Sequence, residues 1–262
     1  MDLSEEEIQR YGRHILLPEV DVSGQLRLKG ARVLVVGAGG LGSPLILYLA
    51  GAGVGTIGII DDDRVSLSNL HRQVIHDSET IGRLKVESVL SRVHALNSLV
   101  CVESYDVRLT AANSLDLISR YDVIADGSDN SATRFLLNDS CFVARKPLVS
   151  GAILRFDGQV ATFKGYLGAG HPCYRCLFDE SAFSGLGSSC SEAGVLGALT
   201  GVVGSLQAVE VLKEILGIGE SLSGFLLLYD SLSTRIYKIA VPKSPTCPTC
   251  HHCDDVVNNI SN

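Results

Sequence analysis

The stretch Val33-Leu34-Val35-Val36-Gly37-Ala38-Gly39-Gly40-Leu41-Gly42-Ser43-Pro44 decides the fold. Its four leading apolar residues, three of them β-branched, predict a strand buried on both faces, as in a parallel sheet. Glycines then stand at the G-x-G-x-x-G positions (Gly37, Gly39 and Gly42), and an apolar run to Leu49 predicts a helix. In that pattern the first glycine makes a tight turn and the second lets backbone approach a phosphate. The third lets helix and strand pack closely. The helix N-terminus offers unpaired N–H groups to an anion. A second apolar strand, Thr56 to Ile60, ends at Asp61, about 20 residues beyond the glycines, where a ribose-binding acid is expected. The pattern reads as a nucleotide site.

The same strand–helix rhythm continues away from this stretch. Helices are predicted over 82–96, 111–120 and 132–145, with strands over 100–104, 122–125 and 147–151. Alternation over 158–164 predicts an antiparallel or exposed strand at the far end of the sheet. A long apolar helix over 195–216 follows, with Gly201 and Gly204 allowing close packing, and then two strands, 225–229 and 236–241, forming a hairpin. Upstream, Ser4 and Glu7 form a capping box for a helix over 4–12, which Pro18 brings to an end, and a short amphipathic piece spans 24–29. The fold class is therefore α/β: a doubly wound sheet, parallel in its N-terminal half and antiparallel toward the C-terminus. No repeat or linker divides the chain, so one domain covers 1–262. It comprises a helical arm (1–30), a nucleotide-binding half (31–151), a second half (152–250) and a disordered tail (251–262).

Composition narrows the function. Apolar residues make up 46% of the 262, enough for a core on both sheet faces, and charged residues only 19%. A net charge of −7 opposes a nucleic-acid surface. No apolar run approaches a membrane helix and no signal peptide opens the chain, so a cytoplasmic location is expected. Eight cysteines in that compartment point to metal or catalysis rather than disulfides. Cys173-Tyr174-Arg175-Cys176 and Cys247-Pro248-Thr249-Cys250 are two C-x-x-C knuckles, fit for a tetrahedral four-cysteine Zn²⁺ site, with His251, His252 and Cys253 near enough to compete. Cys190 ends a small, polar, glycine-rich loop and precedes a helix, a setting that lowers a thiol pKa. Cys101 on a strand and Cys141 on a helix read as core. Asp61-Asp62-Asp63 reads either as a Mg²⁺ cluster or as a polar loop. Lys85 with Arg72 suits a triphosphate, and Asp129-Asn130 follows a strand's C-terminal end, where open α/β sheets keep their ligands.

Arg10-Tyr11-Gly12-Arg13-His14, the glycine turn, Ser68-Asn69-Leu70-His71-Arg72-Gln73, Asp129-Asn130 and the paired knuckles occur together in that order. The combination resembles the ubiquitin-activating-enzyme-like superfamily. Within it, the chain is most similar to the branch of molybdopterin-synthase adenylyltransferases and thiamine sulfur-carrier adenylyltransferases. The resemblance covers about residues 8–250 and implies a Rossmann-like fold that binds ATP with Mg²⁺. It implies adenylation of the C-terminal glycine of a small ubiquitin-fold sulfur carrier ending in Gly-Gly, bound by the 152–250 half. It assigns Gly37, Gly39, Gly40, Asp61, Ser68, Asn69, Leu70, His71, Arg72, Lys85, Asp129 and Asn130 to ATP, with Asp129 on Mg²⁺. Arg13 is implied to reach the other subunit's ATP across a homodimer, and Cys190 to be a conditional thiol that accepts the carrier. Ser128 stands where threonine is common in that branch, and keeps the hydroxyl. The eukaryotic sulfur-transfer members also carry a rhodanese domain after the second knuckle, so a separate sulfur donor, a cysteine desulfurase or rhodanese, is implied.

Three other readings compete. An NAD-dependent dehydrogenase fits the glycine turn but not the Arg72, Lys85 and Asp129 set. A tRNA threonylcarbamoyladenosine dehydratase-type member of the same superfamily is disfavoured by the low positive charge and the paired knuckles. A non-catalytic activating-enzyme subunit is disfavoured by the intact charged residues.

Overall fold

A computed structural model describes residues 2–180 and 194–251. One eight-stranded sheet runs through it in the order β3-β2-β1-β4-β5-β6-β7-β8. The strands are β1 (Arg32–Val36), β2 (Thr56–Ile60), β3 (Cys101–Tyr105), β4 (Val123–Asp126), β5 (Leu148–Leu154), β6 (Asp157–Phe163), β7 (Phe225–Asp230) and β8 (Arg235–Ala240). Pairing is parallel from β3 through β5 and antiparallel from β5 to β8.

The helices among the described residues are α1 (Glu5–Ile15), α2 (Asp21–Gly30), α3 (Gly42–Ala52), α4 (Lys85–Leu96), α5 (Ala111–Ser119), α6 (Ser131–Ala144), α7 (Tyr174–Leu177) and α8 (Gly197–Leu216). They cover both faces of the sheet, and β1 shows why its sequence is an unbroken apolar run. Val33 and Val35 join one core with Leu45, Leu49, Val89 and Val203, while Leu34 and Val36 join the other with Ile118, Tyr121 and Phe135. A strand with two buried faces has no polar side to alternate with.

Four expectations are corrected. The strand over 158–164 is not the end of the sheet: β6 is antiparallel but internal, and β7 and β8 continue beyond it. The helix expected from residue 82 begins at Lys85, because Gly82 takes φ +86° and Leu84 bridges Arg64. Cys101 is exposed rather than core, since β3 is the edge strand. Of Gly201 and Gly204, the two glycines of α8 expected to allow close packing, Gly204 does so: a Cβ there would lie 2.4 Å from the Leu41 carbonyl oxygen, whereas at Gly201 it would meet nothing within 4 Å. The capping box at Ser4 and Glu7 is present, and α1 runs on to Ile15, since Pro18 restricts only the residue before it. Among the described residues no helix is long and apolar enough to cross a membrane.

Candidate functional site

After β1 the chain moves outward to β2 and β3, then returns to the other side of β1 as β4. The connections therefore part at the C-terminal ends of β1 and β4, and a crevice opens there. A cleft of about 660 Å³ occupies this point. Gly37, with φ +96°, makes the turn out of β1, and a Cβ on it would stand 2.7 Å from the Gly127 carbonyl oxygen. At Gly42 a Cβ would come within 1.9 Å of the Gly37 carbonyl oxygen, so α3 can start against the turn only with glycine there. Gly39 faces the cleft with one atom, Gln73 Nε2, within reach of an added Cβ, at 3.6 Å.

The cleft brings together Gly37, Gly39, Gly40, Asp61, Ser68, His71, Arg72, Lys85, Asp129 and Asn130. Asp61 is buttressed: its Oδ2 accepts the Ala38 N–H at 2.8 Å and its Oδ1 the Asp63 N–H at 2.9 Å. Lys85 opens α4 with its ammonium buried, 2.8 Å from Asp63 Oδ2 and 3.8 Å from Asp61 Oδ1. The positive charge at a helix N-terminus, unfavourable by itself, is thus offset by carboxylates. Asp62 pairs with Arg108, so each acid of the triplet is held by a cation, which is the polar-loop reading rather than a Mg²⁺ cluster. Arg72 Nη1 donates to the Ser68 carbonyl at 3.0 Å and lies 2.9 Å from His71 Nε2. Asn130 caps α6 by accepting the Thr133 N–H at 2.9 Å, while Asp129 stays exposed at the mouth.

Three of the candidate residues are elsewhere. Asn69 closes a short helical turn by accepting the Ser66 N–H at 3.1 Å, and neither it nor Leu70 lines the cleft. Arg13 lies exposed on α1, also away from this cleft. Cys190 lies outside the described residues.

The donor set fits a nucleotide. Lys85 and Arg72 face the cleft beside the glycine turn, where phosphates carry charge. The Gln73 side chain lies beside Gly39, and its buried carboxamide oxygen has no hydrogen-bond partner among the described residues, an acceptor suited to a ligand's N–H or O–H. Asp129 is an unshielded carboxylate of the type that holds Mg²⁺ against phosphates.

The four knuckle cysteines form a second cluster, with their sulfurs all within 4.8 Å of one another. Cys173 lies 3.4 Å from Cys247 and 4.0 Å from Cys176, and Cys176 lies 3.4 Å from Cys250. A tetrahedral Zn²⁺ with bonds of about 2.3 Å sets sulfurs about 3.8 Å apart, so the set fits that ion. His251 is exposed and outside the cluster, while His252 and Cys253 lie outside the described residues, as does the rest of the expected tail beyond His251.

The two knuckles are 74 residues apart in sequence, and α6 joins them. Asp139 accepts from Arg175 of the first knuckle at 2.9 and 2.8 Å and from Thr249 Oγ1 of the second at 2.7 Å. Beside it, Asn138 accepts the Tyr174 N–H at 2.7 Å. None of the cluster cysteines lines the nucleotide cleft.

The ThiF family profile matches residues 11–249. The chain belongs to the ThiF family. It is 51% identical to the sulfur carrier protein adenylyltransferase of Thermus thermophilus, over 95% of this chain and 93% of that one. It is 50% identical to the adenylyltransferase and sulfurtransferase MOCS3 of Anopheles gambiae, over 95% of this chain but only 56% of that longer protein. A crystal structure of Escherichia coli MccB with ATP superposes with a TM-score of 0.80 at 23% identity, covering 94% of this chain and 75% of that one, and shares the fold.

In this ThiF-family chain the sequence did not disclose several residues that shape the cleft. Asp126, fully buried at the end of β4, accepts from Ser128 N at 2.9 Å, Ser128 Oγ at 2.6 Å and Ser150 Oγ at 2.7 Å, and so shapes the loop that presents Asp129. Gln207 of α8 donates to the Asp126 carbonyl at 2.7 Å from the opposite side. Arg134 lines the cleft one turn into α6 and donates to the Ser128 carbonyl at 2.8 Å. The only signal for Gln207 was its place as a polar residue on an otherwise apolar stretch of helix.

Proposed function

We infer that the chain is an ATP-dependent adenylyltransferase acting on the C-terminal glycine of a small ubiquitin-fold sulfur carrier that ends in Gly-Gly. The observation that carries this reading is the convergence of Lys85, Arg72 and Asp129 on the glycine turn within one cleft. The relatedness to an enzyme named for the same reaction along nearly its whole length supports it.

ATP lies with its ribose at Asp61 and its phosphates between the glycine turn, Arg72 and Lys85. The carrier's terminal carboxylate attacks the α-phosphorus, the bond to the β-phosphate oxygen breaks, and pyrophosphate leaves with that electron pair. The product is an acyl-adenylate. Charge grows on the phosphate oxygens along this path, and positioned cations stabilise it. Asp129 would hold Mg²⁺, which neutralises phosphate charge when bound. Asp63, largely exposed, releases Lys85 to the phosphates by turning into water.

The 152–250 half takes the carrier, and the four cysteines hold a structural Zn²⁺. Two copies form a homodimer in which Arg13 serves the partner's cleft. The exposure of Arg13 and the exposed apolar Val202 and Val209, seven residues apart on one face of α8, support that assembly. Sulfur comes from a separate donor, a cysteine desulfurase or rhodanese. Four thiols kept reduced for a metal suit a cytoplasmic location.

ATP–pyrophosphate exchange with purified protein, Mg²⁺ and each carrier type in turn tests the reading. Exchange with the molybdopterin-synthase small subunit or with the thiamine-pathway carrier is expected, and the active carrier names the pathway. Absence of exchange with both rejects the reading in favour of the dehydratase-type or non-catalytic alternatives. In the same assay Cys190→Ala is expected to retain adenylation within about threefold while losing any thiol-linked carrier adduct, because nucleophilic catalysis by that thiol follows the adenylate. Loss of adenylation itself would contradict that role.

A further inference from the structure

His76 is buried, and the chemistry above makes no use of it. It lies behind the glycine turn, with Nε2 3.0 Å from the Ala38 carbonyl oxygen and Nδ1 2.8 Å from Ser88 Oγ on α4. A carbonyl oxygen only accepts, so Nε2 carries the hydrogen; Nδ1 of the neutral ring then accepts from the Ser88 hydroxyl. Burial lowers the ring's pKa below that of an ordinary histidine, and the Lys85 ammonium pushes the same way. The Ala38 carbonyl and the Asp61 and Asp77 carboxylates oppose this, and the net shift is downward.

Ala38 is gripped at both of its backbone polar groups. Its carbonyl accepts from His76, and its N–H donates to Asp61 Oδ2 at 2.8 Å. Asp61 in turn stands 3.8 Å from the Lys85 ammonium. Lys85 and Ser88 are three residues apart on α4 and share a face. The contacts thus close a ring: Ala38 to Asp61, Asp61 to Lys85, one turn of α4 to Ser88, Ser88 to His76, and back to Ala38.

Peptide geometry carries the consequence into the cleft. The Ala38–Gly39 bond is trans and planar, so the Gly39 N–H points opposite to the Ala38 carbonyl. Whatever holds that carbonyl back aims that N–H forward, and Gly39 lines the cleft. We propose that His76 is a positioning residue for the nucleotide. By tying the Ala38 carbonyl to α4 it aims the Gly39 N–H at the phosphates and keeps it in register with the Lys85 ammonium. The proposal rests on the ATP-binding reading of the cleft. It differs from the role of an ordinary buried histidine, which would support stability alone.

Three variants of the full chain test it, with Mg²⁺–ATP affinity measured without carrier and the ATP and carrier KM values measured in exchange. His76→Gln places an amide N–H close to where Nε2–H stood, whereas His76→Phe keeps the ring's bulk and has no donor. His76→Phe is expected to weaken ATP binding and raise the ATP KM about tenfold with the carrier KM unmoved, and His76→Gln to stay within about threefold of the parent. Ser88→Ala, which leaves the ring and removes its anchor, is expected to raise the ATP KM about threefold, and it serves if His76→Phe does not fold. Nitrogen chemical shifts of the His76 ring at pH 7 are expected to report the neutral Nε2–H form. Equal ATP affinity in the Phe, Gln and parent proteins, or a ring found charged or carrying its hydrogen on Nδ1, overturns the proposal. If the parent binds ATP but exchanges with no carrier, the adenylation reading fails, and the ATP affinities of the three proteins still decide the role of His76.

Discussion

Lys85→Ala is expected to lower ATP–pyrophosphate exchange by about 10³-fold or more while the protein stays folded. The Lys85 side chain, 6% exposed, is the buried ammonium of the cleft, and it sits between two carboxylates of opposite character. Asp61 is nearly buried and fixed by two backbone N–H groups, whereas Asp63 is 67% exposed and tied to little else. On the proposed reading, an incoming triphosphate is expected to displace Asp63 and leave Asp61 in place. Removing the ammonium is then expected to take a positioned cation from the departing pyrophosphate, where developing charge makes it worth most. The cost to the fold is smaller. Asp61 keeps both backbone donors and Asp63 returns to water, so a loss of about 1–3 kcal/mol is expected, within the stability of an ordinary domain.

Asp129→Ala sharpens the experiment. Asp129 is exposed, and its one side-chain contact among the described residues, from the Asn130 amide at 3.5 Å, is weak, so the substitution is expected to leave the fold intact. A comparable loss of exchange is expected, with a higher requirement for Mg²⁺. Exchange within tenfold of the parent in either variant would remove that residue from the mechanism. Lys85→Arg should recover little, because the guanidinium is wider and its fork does not match a site built for a compact ammonium.

The glycine turn and the first four strands were legible because local rules govern them. β1 is apolar on both faces, and Gly37 and Gly42 stand where a Cβ would strike backbone. The position of β6 was not legible, because alternation reports that a strand has two unlike faces and not how many strands lie beyond it. Cys101 misled for a related reason: a strand residue is core or surface according to its sheet position, and β3 became the edge. Of the site, charged residues close to a motif could be read. The supports that reach it from afar could not. Gln207 meets Asp126 across 81 residues, and His76 meets Ala38 across 38. Asp129-Asn130 had two roles in one dipeptide: Asn130 is the helix cap that a bland reading expects, while Asp129 is left facing the cleft.

Cys247→Ser is expected to reduce bound zinc from one ion per chain to near none and to lower the melting temperature by roughly 6–12 °C. That figure corresponds to about 3 kcal/mol lost in a chain of this size. The cluster joins segments 74 residues apart, so an ion held there closes a long loop that the unfolded chain leaves open. Asp139 alone cannot replace it. Its bonds to Arg175 and Thr249 align the two knuckles, but they hold one side chain of each knuckle, whereas the ion would bind two cysteines from each. Because α6 carries Asp139 near its middle and follows directly on Asn130, loosening the knuckles frees the far end of the helix that begins at the cleft. Exchange activity should therefore persist at low temperature and disappear with the fold on warming. A chelator added to the parent should reproduce both effects. Zinc content and melting temperature unchanged by Cys247→Ser would show that the four sulfurs hold no metal, and that the knuckles are joined by protein contacts alone.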